Sequence, residues 1–241
     1  MDKRMRKKVI LGLIIVWMAN VAATAQSLDS AVKVVGAMKN VMWKGQLYGT
    51  ISLDTISPRQ HLYGLGPVEY LAGEISIIDG HAYRSTVLTD STMQVDETFE
   101  LKAPFFVYAS VENWNEQNLP DSIQSIPQLE NYLNQITQNA TRPFAFRLSG
   151  IVDEASIHVV NLPKGSMVRS PQEAHQGLKS FQLSNREADI IGFFSTVHQA
   201  IFTHHNSFVH MHILTKDKKQ MGHLDEVLFK KGAMKLYLPT D

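Results

Sequence analysis

Three histidines near the C-terminus, His210, His212 and His223, have the spacing of a metal site. Residues two apart on a β-strand project from one face, so His210 and His212 point the same way. The polar stretch Lys216-Asp217-Lys218-Lys219 breaks the strand pattern, which resumes at Gln220. A hairpin centred between Asp217 and Lys218 sets His223 directly across from His212, on the face that carries His210. Cross-strand Cβ atoms lie about 4.5–5.5 Å apart, so three imidazoles can converge on one Zn2+ at about 2.0–2.1 Å from each nitrogen. Three protein ligands leave a coordination position open, as in a catalytic zinc site, whereas a structural site is closed by a fourth. The competing reading is a hairpin whose polar face meets solvent, for a chain with 10 histidines places some together by chance. His198, His204 and His205, just upstream, read as surface residues, with at most one of them standing behind a ligand.

Two charged residues are candidate partners for such an ion. Glu74 opens a strand after the glycine-rich stretch Gly64–Gly73 and reads either as a general acid or base or as a surface charge at a strand start. Arg147 opposes the apolar face of a strand; its planar fork suits a carboxylate, and the plainer reading is an exposed strand arginine.

These side chains must be positioned by a mixed set of elements. Residues 28–42 place apolar side chains near helical period, with Asp29 or Ser30 as cap. From Gly45 the period drops to two through Leu47, Gly49 and Ile51. Runs 74–78 and 81–87 flank Asp79-Gly80, the signal of a two-residue hairpin. Phe105–Val111 reads as a strand, and Pro127–Ile136 as a helix behind Ser125. Phe144–Val152 alternates, with Phe144, Phe146 and Leu148 on one face and Arg147 on the other. Further strands are expected at 157–160, 190–194, 208–215, 223–229 and 234–238. The fold class is therefore α+β, rich in mixed or antiparallel sheet, in two regions: residues 26–160, and a β-rich 161–241 that carries the histidine hairpin.

Composition narrows the function classes. The chain has 241 residues, 44% apolar and 19% charged, as in an ordinary globular protein. Basic and acidic residues number 23 each, but residues 1–25 hold five of the basic ones against one acidic, so the body is mildly acidic. That argues against a nucleic-acid partner, which needs a basic face. No cysteine is present, which excludes disulfides, thiolate ligands and a cysteine nucleophile. Lys3–Lys8, the apolar run Val9–Ala19 and Ala23-Thr24-Ala25 follow the plan of a secretory signal peptide over residues 1–25. The apolar run is about half of the roughly 20 residues a membrane span needs. The expectation is an exported, periplasmic or secreted protein without a stable membrane anchor.

The candidate residues fall in three blocks that together resemble the α-acetolactate decarboxylase family. Residues 63–83 are similar to its G-x-G…L-x-G-E…D-G block, residues 143–150 (PFAFRLSG) to its aromatic-x-x-R-x-x-G strand, and residues 190–196 with 210–223 to its zinc hairpin. The resemblance implies zinc-dependent decarboxylation of 2-acetolactate, a 2-hydroxy-3-keto acid, to acetoin and carbon dioxide. His210, His212 and His223 would be the zinc ligands, with Glu74 and Arg147 as catalytic residues. It also implies two α/β regions and a homodimer. Two departures stand out: the family's threonine after G-x-G falls on Pro67, and its tail glutamate has no counterpart after Leu238-Pro239. They lead to an expectation of slower turnover. The alternative is a catalytically impaired zinc-containing protein that binds a small hydroxy- or keto-acid on the same scaffold.

Overall fold

A computed structural model describes residues 32–240. The expected signal segment and residues 28–31 of the expected first helix lie outside them. The elements run β1 (Lys33–Gly36), α1 (Met38–Lys44), β2 (Ile51–Ser52), β3 (Leu62–Pro67), β4 (Glu74–Ile78), β5 (His81–Thr89), β6 (Thr92–Glu97), β7 (Lys102–Ala103) and β8 (Phe105–Ser110). They continue as β9 (Trp114–Asn118), α2 (Ile126–Ile136), β10 (Phe144–Val159), α3 (Pro171–Ala174), β11 (Lys179–Phe194), β12 (Val209–Thr215) and β13 (Met221–Pro239). The sheet-rich class is as expected, with few and short helices.

The first half forms an antiparallel sheet in the order β1-β8-β3-β4-β5-β6. Its β4–β5 hairpin turns at Asp79 and Gly80, both at positive φ (48° and 79°), which a type I′ turn requires. The second sheet closes on itself: β10 pairs with β11, β11 with β12, β12 with β13, and β13 again with β10, while β9 adds to β13. Phe146, Leu148, Ile190, Ile213 and Leu236 fill this small barrel and are fully buried. Each such side chain contributes about 1.5–3 kcal/mol on burial. Phe144, Phe146 and Leu148 face inward and Arg147 outward, as their alternation predicts. The barrel's outer face, through Ala145, Ile191 and Phe193, packs on Tyr63, Leu65 and Val107 of the first sheet. Helix α2 seats Leu129 and Leu133 in the barrel core; Gln128 Oε1 accepts the Ser125 N–H at 3.2 Å at its start.

Four local expectations are corrected. The helix over 28–42 is a strand followed by a shorter helix. Val34 and Val35 are β-branched and pair with Val107 and Phe106, and Gly36 at φ +69° turns the chain where a Cβ would meet the Pro104 carbonyl at 2.3 Å. From Gly45 only Ile51 and Ser52 form a strand, pairing with β7; Leu47 instead packs with Met38, Val41 and Leu71. The pairs of strands expected at 144–152 with 157–160, and at 223–229 with 234–238, are each one long strand. Register shifts between Gly150 and Val152, Val152 and Glu154, and Ser156 and Ile157 hide the continuity by interrupting the period of two. Strands β3, β6 and β9 were not expected. The stretch 161–177 connects β10 to β11 within the second sheet.

Candidate metal centre

His212 pairs directly with His223, the register that the sequence pattern predicts. One row of paired residues runs His158, His223, His212, Ile191 and Arg147 across the outside of the barrel. His210, two residues before His212, adds a third ring. The centroids lie 5.1 Å apart for His210 and His212, 4.9 Å for His210 and His223, and 5.6 Å for His212 and His223. One ring nitrogen of each lies within 4.8 Å of the others, and all three residues are buried. Among the described residues, His210 Nδ1 and His212 Nε2 have no hydrogen-bond partner. Buried polar atoms are rarely left so, and a metal ion would satisfy both. Ser76 Oγ lies 3.2 Å from His212 Nδ1 and fixes that ring from behind, as outer partners of metal ligands do.

Burial, reinforced by neighbouring histidines, holds the pKa of His210 and His223 well below the usual value and that of His212 at about 3. The rings are neutral at physiological pH, the form that ligates. Three neutral nitrogen donors fit Zn2+ by number and type.

Glu74 reaches the cluster from β4 in the other sheet and is 3% exposed, which discards the surface reading. Its Oε1 accepts the Val160 N–H at 3.2 Å. Oε2 lies 3.7 Å from His212 Nε2, and Oε1 lies 4.0 Å from His158 Nε2. Burial pushes its pKa up to about 8, against the lowering influence of His158 and the Val160 N–H.

Three more histidines border the centre. His158 Nδ1 lies 2.7 Å from an Asp225 carboxylate oxygen, and its ring is 4.6 Å from that of His223. Burial alone would lower the His158 pKa; the Asp225 hydrogen bond and the charges of Glu74 and Asp225 outweigh it and raise it. His204 is half-buried, and its Nε2 lies 3.2 Å from His223 Nε2, so it is no bystander on the surface. His175 lines the same narrow cavity with Pro67, Phe105 and Met38. His205 is exposed, and His198 bonds to Ser195 Oγ at 2.7 Å. Nothing in the sequence singled out His158, because its place depends on the β10–β13 register, which the bulges obscure.

Arg147 does not line this cavity. Its guanidinium lies 4.8 Å from the Tyr237 ring centroid and 5.8 Å from those of Tyr63 and Trp114. The side chain of Ile191 separates it from His212 along the row. The structure thus brings together Glu74 and the three histidines and leaves Arg147 in an aromatic bed beyond them.

The shifts give the metal-free protein a distinctive pH dependence. The folded pKa of Glu74 is raised, so its contribution is full below about pH 4.5 and is lost as pH rises through about 8. The folded pKa values of His210, His212 and His223 are lowered, so theirs is present above about pH 6.5 and is lost as pH falls. Between about pH 6.5 and 8 the ligand histidines are neutral in both states, and Glu74 governs together with His158. Stability of chelator-treated protein should fall there, with Glu74 supplying about 1.4 kcal/mol per pH unit, and Glu74→Gln should flatten the fall. Urea unfolding at both ends of the window measures it; identical slopes in wild type and Glu74→Gln would show that the carboxyl carries no proton.

The sequence profile of the alpha-acetolactate decarboxylase family matches residues 35–239. The alpha-acetolactate decarboxylase from Bacillus subtilis strain 168 has a similar structure, with a TM-score of 0.70 and 19% identity over 87% of this chain and 86% of that one. A Staphylococcus aureus protein of unknown function, described as similar to alpha-acetolactate decarboxylase, superposes with a TM-score of 0.66 at 14% identity, over 87% and 86% of the two chains. At these identities the structural likeness speaks for a shared fold. No curated protein matches the sequence.

Proposed function

The chain belongs to the alpha-acetolactate decarboxylase family, and on that premise we propose that it converts 2-acetolactate to acetoin and carbon dioxide, with Zn2+ held by His210, His212 and His223. The observation that carries this reading is the convergence of three buried imidazoles and one buried carboxyl where the two sheets meet. Bound there, the ion supplies Lewis-acid polarisation of the substrate's adjacent hydroxyl and keto oxygens.

The chain's own residues do the rest. Ser76 sets the orientation of His212, and the packed sheets exclude water from all three ligands. Carbon dioxide leaves behind a carbon atom that needs a proton. Glu74 stands 3.7 Å from His212 Nε2 and is the carboxyl placed to deliver it; burial raises its pKa, and a bound ion would draw it down again. The Val160 N–H keeps Oε1 aimed while the proton moves. His158, oriented by Asp225, is the cation-forming side chain that faces Glu74. Arg147, beyond Ile191, rests its guanidinium against the Tyr63 and Tyr237 rings.

An acetoin colour assay on zinc-loaded protein with racemic acetolactate tests the reading. Acetoin should form, more slowly than with the Bacillus subtilis enzyme assayed alongside. Pro67, paired with Glu74 on the neighbouring strand at the cavity wall, offers no hydroxyl where the family has threonine. The same wall, with Arg147 outside it, favours a second reading: a zinc-containing protein that binds a small hydroxy- or keto-acid. Retention of acetolactate without acetoin would select that reading. Export and a homodimer are also proposed. Fractionation that finds the full-length chain in the cytosol, or light scattering that finds a monomer, would count against them.

A further inference from the structure

We propose that His158, Asp225 and His223 form an outer station for the metal, where a zinc ion arriving from solvent is held before His223 passes it to His210 and His212. The inference rests on the metal reading given above and concerns how the ion gets in.

Two sets of three side chains bring their ligand atoms within 4.8 Å of one another: His210, His212 and His223, and His158, Asp225 and His223. His223 belongs to both. The outer set follows from the strand pattern. His158 pairs directly with His223, and Asp225, two residues on, projects from the same face. Asp225 has no partner on β10, since Leu224 pairs with Ile157 and Glu226 with Ser156. The extra residue makes a bulge, which keeps Asp225 and Glu226 outside while Leu224 and Val227 enter the barrel core.

Exposure falls along the path. The Asp225 side chain is 36% exposed, that of His158 12% and that of His212 0%. The two sets also differ in what they offer an ion. The outer one has a carboxylate, whose charge draws a hydrated cation, but its atoms are already partnered: the Asp225 oxygens lie 2.7 and 2.9 Å from His158 Nδ1. Two ligand atoms on one tetrahedral zinc ion lie about 3.3–3.4 Å apart, so the exposed carboxylate has to withdraw by only a fraction of an ångström. The ion then takes the place of the proton between them, which passes to water. The inner set is three buried imidazoles, with His210 Nδ1 and His212 Nε2 unpartnered among the described residues. Capture is favoured outside and retention inside. Ring centroids lie 4.6 Å apart for His158 and His223 and 4.9 Å apart for His223 and His210, so the ion need not return to water between the two sets.

The neighbouring features offer less. Besides histidines and Glu74, the narrow cavity is walled by Met38, Met42, Pro67, Leu71 and Phe105, none of which carries a charge. His204 has its one close contact with the cluster at His223, 3.2 Å away, and belongs to neither set. Its loop is tied to α1 by the Met38 N–H, which donates to the Ile201 carbonyl at 2.7 Å, and to α2 by the Phe208 N–H, which donates to Glu130 at 2.9 Å.

Stopped-flow uptake of zinc by chelator-treated protein, and its release into excess chelator, test the station. A stopping point on the path changes both rates and leaves their ratio alone. Asp225→Asn keeps an acceptor for His158 Nδ1 and removes the charge. Uptake and release should both slow by about 10-fold, the lower end of what local charge adds to association, at unchanged equilibrium affinity. Asp225→Glu should restore both rates, and Glu226→Gln, which removes the neighbouring exposed charge, should leave them as in wild type. Affinity of Asp225→Asn weakened by about 10–100-fold, the mark of an outer partner of a ligand, would overturn the station. So would unchanged rates, or an equal slowing in Glu226→Gln; each of these leaves the three-histidine site standing. A wild-type chain that takes up no zinc would overturn both.

Discussion

His212→Ala is expected to yield a folded chain that no longer retains zinc and no longer forms acetoin. His212 is the ligand with the firmest setting: it pairs across the hairpin with His223, bonds Ser76 behind, and directs an unpartnered Nε2 into the cluster. Its removal takes away one nitrogen of three and leaves Ser76 Oγ buried without its partner, at a cost of about 1–3 kcal/mol. The barrel core lies on the opposite face of the strand and is not disturbed. Wild-type protein held at 100–1,000 times the dissociation constant for zinc gains about 2.7–4.1 kcal/mol of stability. For a domain of this size that raises the melting temperature by roughly 2–4 °C per kcal/mol. The variant should show no such rise on adding zinc. Full zinc content in purified His212→Ala, by elemental analysis, would refute the hairpin site.

Glu74→Gln should leave zinc content unchanged and lower acetoin formation by about 10²–10⁴-fold, the usual contribution of a positioned general acid. The substitution is nearly isosteric, and the amide oxygen still accepts the Val160 N–H. What it removes is the titrating proton. Because the carboxyl is buried with its pKa near 8 in the absence of an ion, the chelator-treated variant should be at least as stable as chelator-treated wild type in neutral buffer. Lost activity with retained stability and metal thus separates chemistry from folding. Turnover equal to wild type would assign the proton to another group.

The histidine hairpin was readable because every signal behind it is local. Alternation on β12, the polar break at Lys216–Lys219 and the two-residue spacing of the histidines fix the register without knowledge of the rest of the fold. Glu74 was readable as a candidate only, since its burial depends on a sheet packed from the other half of the chain. His158 and His204 were lost for two different reasons. His158 lies beyond bulges that break the period of β10, and His204 sits on a loop whose course is set by α1 and α2. Arg147 shows the converse. Its facing was correct, but a face does not say how far along it the site extends, and Ile191 stands between. The first helix failed because a helical spacing of apolar residues was outweighed by two valines beside a glycine, which suit an edge strand.

All three proposed ligands sit on one short hairpin, whereas Ser76 and Glu74 arrive from the other sheet, Ser76 and His212 being 136 positions apart. Loop-closure entropy grows with each doubling of the chain enclosed, by about 0.6 kcal/mol, and pairings distant in sequence form late. The order of events during folding follows from this layout. Strands β12 and β13 can meet, and gather their imidazoles, before the first sheet docks on the barrel. On the proposed reading, a refolding chain would acquire its capacity to capture metal earlier than its capacity to turn over substrate, and zinc present from the start would select the hairpin register before the acid is in place.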